Sequence, residues 1–318
     1  MRVALDARDA HRPPLRGWGR YAAQLERHLP AFADVEAIRD GGSGPELVFE
    51  QLRFAGRAAG LGADLLHAPN CFLPLRRTLP GVVTVHDLAF EEHADDFSAK
   101  TRAKYRFFTP RAVRSAERVI CVSRFTADDV CARYGADPAR VRVVPNAPAL
   151  AVGSTPTPPG EPYIVAVGDL RPKKNLARLV EAWRAADTGR RLVIAGLGEA
   201  PWPDVEAPGY LPDDRLDALL RGADLLVHPS LYEGFGLVVA EAMVRGVPVA
   251  CSNTTALAEW GDAAETFDPL DADAIGAAMQ RALAHTDHLA AAGRTRVAGL
   301  SWERAAEETV AVYGEALR

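Results

Sequence analysis

The sequence predicts an α/β protein of two βα-repeating domains with parallel sheets. Three observations predict it. Short apolar runs alternate with helical stretches from end to end, the pattern of parallel strands joined by crossover helices. The 318 residues exceed what one core usually fills, so two units of roughly 150 residues each are expected. A stretch with prolines at 145, 148, 156, 158, 159 and 162 can hold neither a helix nor a central strand. The expected boundaries are a first domain over 1–150, a Pro-rich linker over 151–162, a second domain over 163–300 and a last helix over 301–318.

In chain order the strand candidates of the first half are Val3 to Leu5, Asp34 to Ile38, Leu65 to His67, Val82 to Val85, Val119 to Val122 and Val141 to Val144. Those of the second half are Tyr163 to Val167, Leu192 to Ala195, Leu225 to His228, Val247 to Ala250 and Ala264 to Phe267. The final segment places Trp302, Ala306, Val310, Tyr313 and Leu317 on one helical stripe behind Ser301, a residue suited to capping.

Composition removes several function classes. With 48% hydrophobic and 25% charged residues the chain is an ordinary globular one. Its net charge of −5 gives no overall positive field for nucleic acid. Cys71, Cys121, Cys131 and Cys251 form no C-x-x-C pair, which argues against a disulfide framework or zinc site and for a reducing compartment. The start, MRVALDARDA, turns charged by Asp6, and no apolar run approaches the ~20 residues that span a bilayer. A cytoplasmic protein is expected.

Open α/β sheets bind ligands at the carboxyl ends of their strands, and two segments there stand out. After Tyr163 to Val167 come Gly168, Asp169, Leu170, Arg171, Pro172, Lys173 and Lys174. Asn175 then stands where it can cap a helix carrying Leu176, Leu179, Val180 and Trp183. A helix start favours an anion, and two ammonium groups before it strengthen that preference. Of 37 basic residues only four are lysines, leaving 33 arginines. Adjacent lysines in such a chain point to compact charges for a phosphate.

The second segment follows Leu225 to His228. Glu233, Gly234, Phe235, Gly236 and Leu237 lead into a helix that carries Glu241. Gly234 and Gly236 let the backbone approach a ligand closely, and Glu241, four residues beyond Leu237, lies one turn in on the same face. Carboxylates accept from neighbouring hydroxyls, so one acid can hold a sugar and the other a ribose.

Together these segments resemble glycosyltransferase family 4, whose members are retaining enzymes of the GT-B fold, with two facing Rossmann-like domains. HPSLYEGFGLVVAEAMVRGVPVACSN is similar to that family's paired-glutamate signature, and VGDLRPKKNLARLVEAW to its phosphate-binding segment. The likeness extends to GWGRY at Gly17 to Tyr21, TVHDLAF at Thr84 to Phe90, ICVSRFT at Ile120 to Thr126, VVPN at Val143 to Asn146 and GDAAETFDPLDADAI at Gly261 to Ile275.

The resemblance implies that Glu233 sits at the donor sugar and Glu241 at the ribose. It places the backbone of Gly236 and Leu237 near sugar and pyrophosphate, and Gly168, Gly234 and Phe235 in the donor-binding turns. It also implies that Lys174 and Lys173 neutralise the diphosphate, that Gly17 approaches it from the first, acceptor-side domain, and that His86 lies beside the transferred sugar. The last helix would cross back onto domain one. The PKKN segment is similar to many mannosyltransferases that use GDP-mannose. Two positions depart from the pattern: Asp169 stands where many members have a phosphate-binding arginine, for which Lys173 or Arg171 is the candidate replacement, and Ala147 follows Asn146 where glycine is usual.

Other signals weigh less. Asp271-Ala272-Asp273 is expected to cap a helix over Ala274 to Leu283 in place of holding a metal. Gly196-Leu197-Gly198 has Pro201 at the third-glycine position, which argues against nicotinamide binding. Lys100, Arg102, Lys104, Arg106, Arg111 and Arg114 interleave with Tyr105, Phe107 and Phe108. That stretch suits peripheral contact with anionic lipid or an anionic substrate, or more simply a helix with its aromatics in the core and its cations in water. His67, His86 and His228 end strands without metal-ligand spacing.

The expected function is metal-independent transfer of a hexose-type sugar, with retention, from a nucleoside diphosphate (GDP-mannose or a UDP-sugar) to a hydroxyl of a glycan, lipid-linked or small-molecule acceptor. No cofactor is expected, the nucleotide sugar being a co-substrate. The alternatives are a GT-B epimerase or hydrolase that needs no acceptor, or a non-catalytic nucleotide-sugar-binding subunit.

Overall fold

The computed structural model describes residues 1–157 and 160–318; Pro158 and Pro159 of the expected linker lie outside the described residues. The chain forms two compact units, Met1–Ala149 with Leu300–Arg318, and Leu150–Gly299.

The first unit is built on six parallel strands, β1 (Arg2–Asp6), β2 (Asp34–Ile38), β3 (Leu65–Ala68), β4 (Gly81–Val85), β5 (Arg118–Cys121) and β6 (Val141–Val143), in the order β2-β1-β3-β4-β5-β6. All five pairings are parallel. The central strand β4, GVVTV, is buried throughout, as expected of a near-continuous apolar run covered on both faces. Its one polar side chain is answered inside the core. Thr84 Oγ1 lies 3.1 Å from Tyr21 Oη and 2.8 Å from His67 Nε2, while His67 Nδ1 lies 2.7 Å from Tyr313 Oη.

Tyr313 comes from the C-terminal helix, Trp302–Ala316, which belongs to this unit. Ser301 caps it by accepting Arg304 N–H at 3.1 Å. Its buried face holds Trp302, Ala305, Ala306, Thr309, Val312, Tyr313 and Ala316. The expected stripe is therefore rotated, because Val310 is half-buried and Leu317, past the helix end, is exposed. Trp302 Nε1 donates to Pro148 O at 2.9 Å.

Helix α1 (Gly17–His28) follows β1, and helix α2 (Ala99–Ser115) carries the basic stretch. Tyr105 packs on Phe72 and Phe90 at 4.6 and 5.1 Å between ring centroids, as expected of a core aromatic. Phe107 departs from that expectation: it is 49% exposed and lies under the Arg111 guanidinium at 3.8 Å. The cations are not simply solvated either, since Lys104 reaches Glu50 and Arg106 reaches Glu91, each at 2.9 Å. Among the described residues no helix is long and apolar enough to cross a membrane.

The second unit has strands β7 (Tyr163–Val167), β8 (Arg191–Ala195), β9 (Glu206–Gly209), β10 (Leu225–His228), β11 (Val249–Ser252) and β12 (Glu265–Phe267), ordered β12-β11-β10-β7-β8-β9. Strand β9, EAPG, was not expected; it sits at the sheet edge, where a proline costs no ladder bond. Strand β11 begins two residues later than the apolar run suggests. The helices of this unit include α3 (Leu176–Ala186), α4 (Asp213–Arg221), α5 (Leu237–Val244) and α6 (Ala272–Ala284). Asp271 caps α6 by accepting Asp273 and Ala274 N–H at 2.9 and 3.1 Å, so that helix starts two residues before the expected Ala274.

Residues from Leu150 onward group with this unit, and Arg245 holds them there. Its buried guanidinium donates to Asp217 Oδ1 at 2.9 Å and to Leu150 O at 2.9 Å. Gly153 N–H donates to Asp217 Oδ2 at 3.1 Å, and Arg221 donates to Thr155 O. Part of the expected linker is thus fastened to the ends of α4 and α5.

Candidate active site

In the second sheet the strand order reverses direction between β7 and β10. Loops leaving adjacent strands on opposite sides of such a reversal part from each other and open a crevice at the carboxyl ends. The β7 loop carries Lys173 and Lys174, and the β10 loop carries Glu233. Topology therefore brings together what is 59 residues apart in sequence.

Lys174 Nζ donates to Glu233 Oε1 at 2.6 Å. The same oxygen lies 3.2 Å from His228 Nε2, which is also 3.3 Å from Ser230 Oγ. Lys173 is buried, and its carbonyl accepts Leu231 N–H at 2.8 Å, stitching the two loops together. Burial opposes ionisation of Glu233, yet Lys174, the His228 hydrogen bond and Lys173 outweigh it and hold the carboxyl well below the usual range. Burial holds the His228 imidazole below its ordinary value, against the pull of Glu233 and helped by Lys174. Lys174 and Lys173 both act on Glu233 from the neighbouring loop, so the crevice gathers cationic groups beside the carboxylate.

The lysine loop is a one-turn 3₁₀ helix, Pro172–Lys174. Asn175 follows it, but its side chain does not cap α3 as expected. Its backbone is left-handed, φ 54°, and its amide donates to Pro229 O at 3.2 Å and Pro269 O at 2.7 Å. Asparagine tolerates that conformation better than most residues, and its two N–H groups tie three loops. The Lys174 stem runs over Gly168, where a Cβ would lie 3.1 Å from its Cδ.

Asp169 accepts Leu197 N–H at 3.1 Å through Oδ1, and Leu170 N–H donates to Leu197 O at 2.8 Å. The Gly196-Leu197-Gly198 pattern is explained by this contact. A Cβ on Gly196 would stand 2.0 Å from Gly168 O. These glycines allow two loop backbones to touch.

On the β10 loop, Glu233 N–H donates to Thr255 Oγ1 at 3.2 Å and Ala256 N–H to Glu233 O at 3.3 Å. Phe235 meets Trp260 edge-on at 5.4 Å, and Trp260 Nε1 donates to Phe235 O at 3.2 Å. Gly236 is left-handed at φ 86°, and a Cβ there would lie 2.8 Å from Leu257. Gly234 is buried beside it. Helix α5 starts at Leu237, so its leading amides, ahead of Val239 N–H on Gly236 O at 2.9 Å, have no partner within the helix. Glu241 lies within α5, buried, with Leu150 N–H on Oε1 at 2.7 Å and Arg245 Nη1 on Oε2 at 2.8 Å.

In the first unit His86 follows β4. Its Nε2 lies 2.7 Å from Pro69 O, and since a carbonyl only accepts, Nε2 carries the proton and Nδ1 is the acceptor nitrogen. Tyr21 packs edge-on against it at 4.7 Å. Burial keeps this imidazole below its ordinary value, outweighing the Pro69 hydrogen bond. Gly17 is the first residue of α1. The residues that sequence alone gave no site role are His228, Ser230, Thr255 and the stitching Asn175; only His228 carried a signal, as a histidine ending a strand.

The pattern described as "Glycosyl transferases group 1" matches residues 152–295, and "Glycosyltransferase Family 4" matches residues 39–148. The chain is 30% identical over 286 residues to O-antigen chain mannosyltransferase B of Escherichia coli, covering 78% of this chain and 74% of that protein. The chain belongs to glycosyltransferase family 4. It is a glycosyltransferase, and its likeness among family members includes mannosyltransferases. A second is the MMP alpha-(1->4)-mannosyltransferase of Mycolicibacterium hassiacum, 29% identical over 81% of this chain and 69% of that one. The GT-B fold of the family is also that of sucrose-phosphate synthase from Thermosynechococcus elongatus, with a TM-score of 0.79 at 23% identity over 99% and 98% of the two chains. Anabaena HepE in complex with UDP and glucose gives a TM-score of 0.74 at 16% identity over 98% and 99%.

Proposed function

We propose that this glycosyltransferase moves a hexose-type sugar from a nucleoside diphosphate to an acceptor hydroxyl with retention of configuration. The observation that carries the proposal is the 2.6 Å contact of Lys174 with Glu233. It puts a cation and a carboxylate in one crevice at the sheet's switch point, which supports reading them as countercharge for the diphosphate and anchor for sugar hydroxyls. Negative charge building on the departing diphosphate is the costly feature of the reaction. Preorganised cations and helix-start amides stabilise it without reorganising, so Lys173, Lys174 and the amides of Gly236 and Leu237 supply the countercharge and no metal is required.

Glu233 orients the sugar and forms no covalent bond to it; the departing phosphate takes the acceptor's proton in a same-face displacement. Glu241 keeps the place at the ribose that family likeness implies. Gly168, Gly234 and Phe235 shape the donor-binding turns, and Gly17 and His86 keep the roles that family likeness implies, at the diphosphate and the sugar. The donor is GDP-mannose or a UDP-sugar. The mannosyltransferase relatives favour the first, and HepE, solved with UDP and glucose, favours the second.

The test is Glu233→Gln. Transfer should fall on the order of 100-fold, the scale of lost orientation at a reacting centre, while circular dichroism shows the variant folded. Undiminished transfer by the folded variant would refute the role. Incubation with donor alone separates transfer from epimerisation or hydrolysis: turnover should rise only when acceptor is added.

A further inference from the structure

His228 is buried at the end of β10, and its contacts give the Glu233 carboxylate two unlike halves. Oε1 receives both Lys174 Nζ and His228 Nε2, whereas Oε2 meets no donor among the described residues. Glu233 is ionised and can only accept, so the His228 proton that faces it sits on Nε2. Ser230 Oγ, also buried, shares that nitrogen at 3.3 Å.

Lys174 cannot serve Glu233 and an arriving diphosphate equally, because one ammonium shared between two anions is weakened toward each. A neutral donor that stays on Oε1 removes the conflict. We propose that His228 is a positioning residue: its neutral imidazole holds Glu233 Oε1 through Nε2–H, so that Oε2 faces the sugar hydroxyls when Lys174 turns to the diphosphate. The role rests on the transfer reaction proposed above and adds to it a residue that never touches substrate. Burial keeps the imidazole neutral near pH 7, so the donor does not add a third cation to the crevice.

The experiment compares His228→Leu, His228→Gln and His228→Asn with the parent, together with the double variant Glu233→Gln/His228→Leu. Binding is probed with bare GDP and UDP, and turnover with the corresponding sugar nucleotide. His228→Leu should lower kcat about 10- to 100-fold, the range of a hydrogen bond to a charged group, while the nucleotide that shifts the parent's melting temperature binds within about twofold, since the diphosphate is read by lysines. His228→Gln, whose amide reaches about as far as Nε2, should recover most of that loss; His228→Asn, one carbon shorter, should not. In the Glu233→Gln background, His228→Leu should add no further loss, because both changes act on one group.

A His228→Leu variant with parental kcat overturns the assignment, as does joint loss of nucleotide binding and turnover, or multiplicative losses in the double variant. If His228→Leu does not fold, equal activity of the Gln and Asn variants overturns it. Full transfer by Glu233→Gln alone points to failure of the proposed function itself.

Discussion

Two glycines decide how closely the backbone can be drawn around the crevice, and Gly196 is the tighter. Its pro-Cβ position lies 2.0 Å from Gly168 O and 2.9 Å from Asp169 N, atoms of backbone that have no rotamer by which to retreat. Gly196→Ala must therefore part the two loops, and the Leu197 N–H to Asp169 contact opens with them. Overpacking of this kind costs about 1–3 kcal/mol or more. The same Gly168 supports the Lys174 stem, so the damage reaches the cation as well. The variant should melt about 3–10 °C lower and bind nucleoside diphosphate more weakly than the parent; unchanged melting by calorimetry would show that the loops yield freely.

At the scale of elements, Asn175 joins the start of α3 to the loops after β10 and β12. Its amide supplies two hydrogen bonds, each worth about 1 kcal/mol, and its φ of 54° is a conformation that costs an alanine about 1–2 kcal/mol. Asn175→Ala loses both contributions and Asn175→Gly only the first. The melting temperatures should fall in the order parent, Gly, Ala, and a reversed order of the two variants would locate the stabilisation elsewhere.

This junction also marks where sequence stops being legible. Periodicity located eleven strands and the helix that carries Glu241, because alternation of short apolar runs with amphipathic stretches is a local property. Strand β9 escaped it: EAPG has no apolar run, contains a proline and pairs only as an edge. Asn175 reads locally as a cap because capping is the local use of asparagine, whereas its partners Pro229 and Pro269 lie 54 and 94 residues away. Lys174 and Glu233 stand out in their motifs. Their hydrogen bond, and the hold of His228 on the same oxygen, depend on strand order, which no spacing along the chain encodes.

For the whole molecule the consequence is acid sensitivity. Three imidazoles, those of the buried His67 and His228 and of the half-buried His86, have been driven below their ordinary values, chiefly by desolvation. His67 goes furthest, to about 3, with His86 adding to the effect. Between about pH 6.5 and the lowered folded value, the unfolded chain binds a proton that the folded chain does not. Stability then rises with pH at up to about 1.4 kcal/mol per pH unit per group, and is lost as pH falls through that window. Glu233, held low by Lys174, acts in the same sense below about pH 4.5. Asp9 and Glu50, pushed up by burial, act in the opposite sense from about pH 4 upward. Substitution isolates one term: His67→Gln breaks the hydrogen bonds to Tyr313 and Thr84, so at pH 8 it should melt below the parent. It also removes a proton-binding site from the unfolded chain, which costs the parent about 2 kcal/mol at pH 5. The gap in melting temperature should therefore narrow as pH falls from 8 to 5. A gap that stays constant across that range would mean that His67 carries its proton in the folded state, and that the Tyr313–His67–Thr84 chain is not a neutral core network.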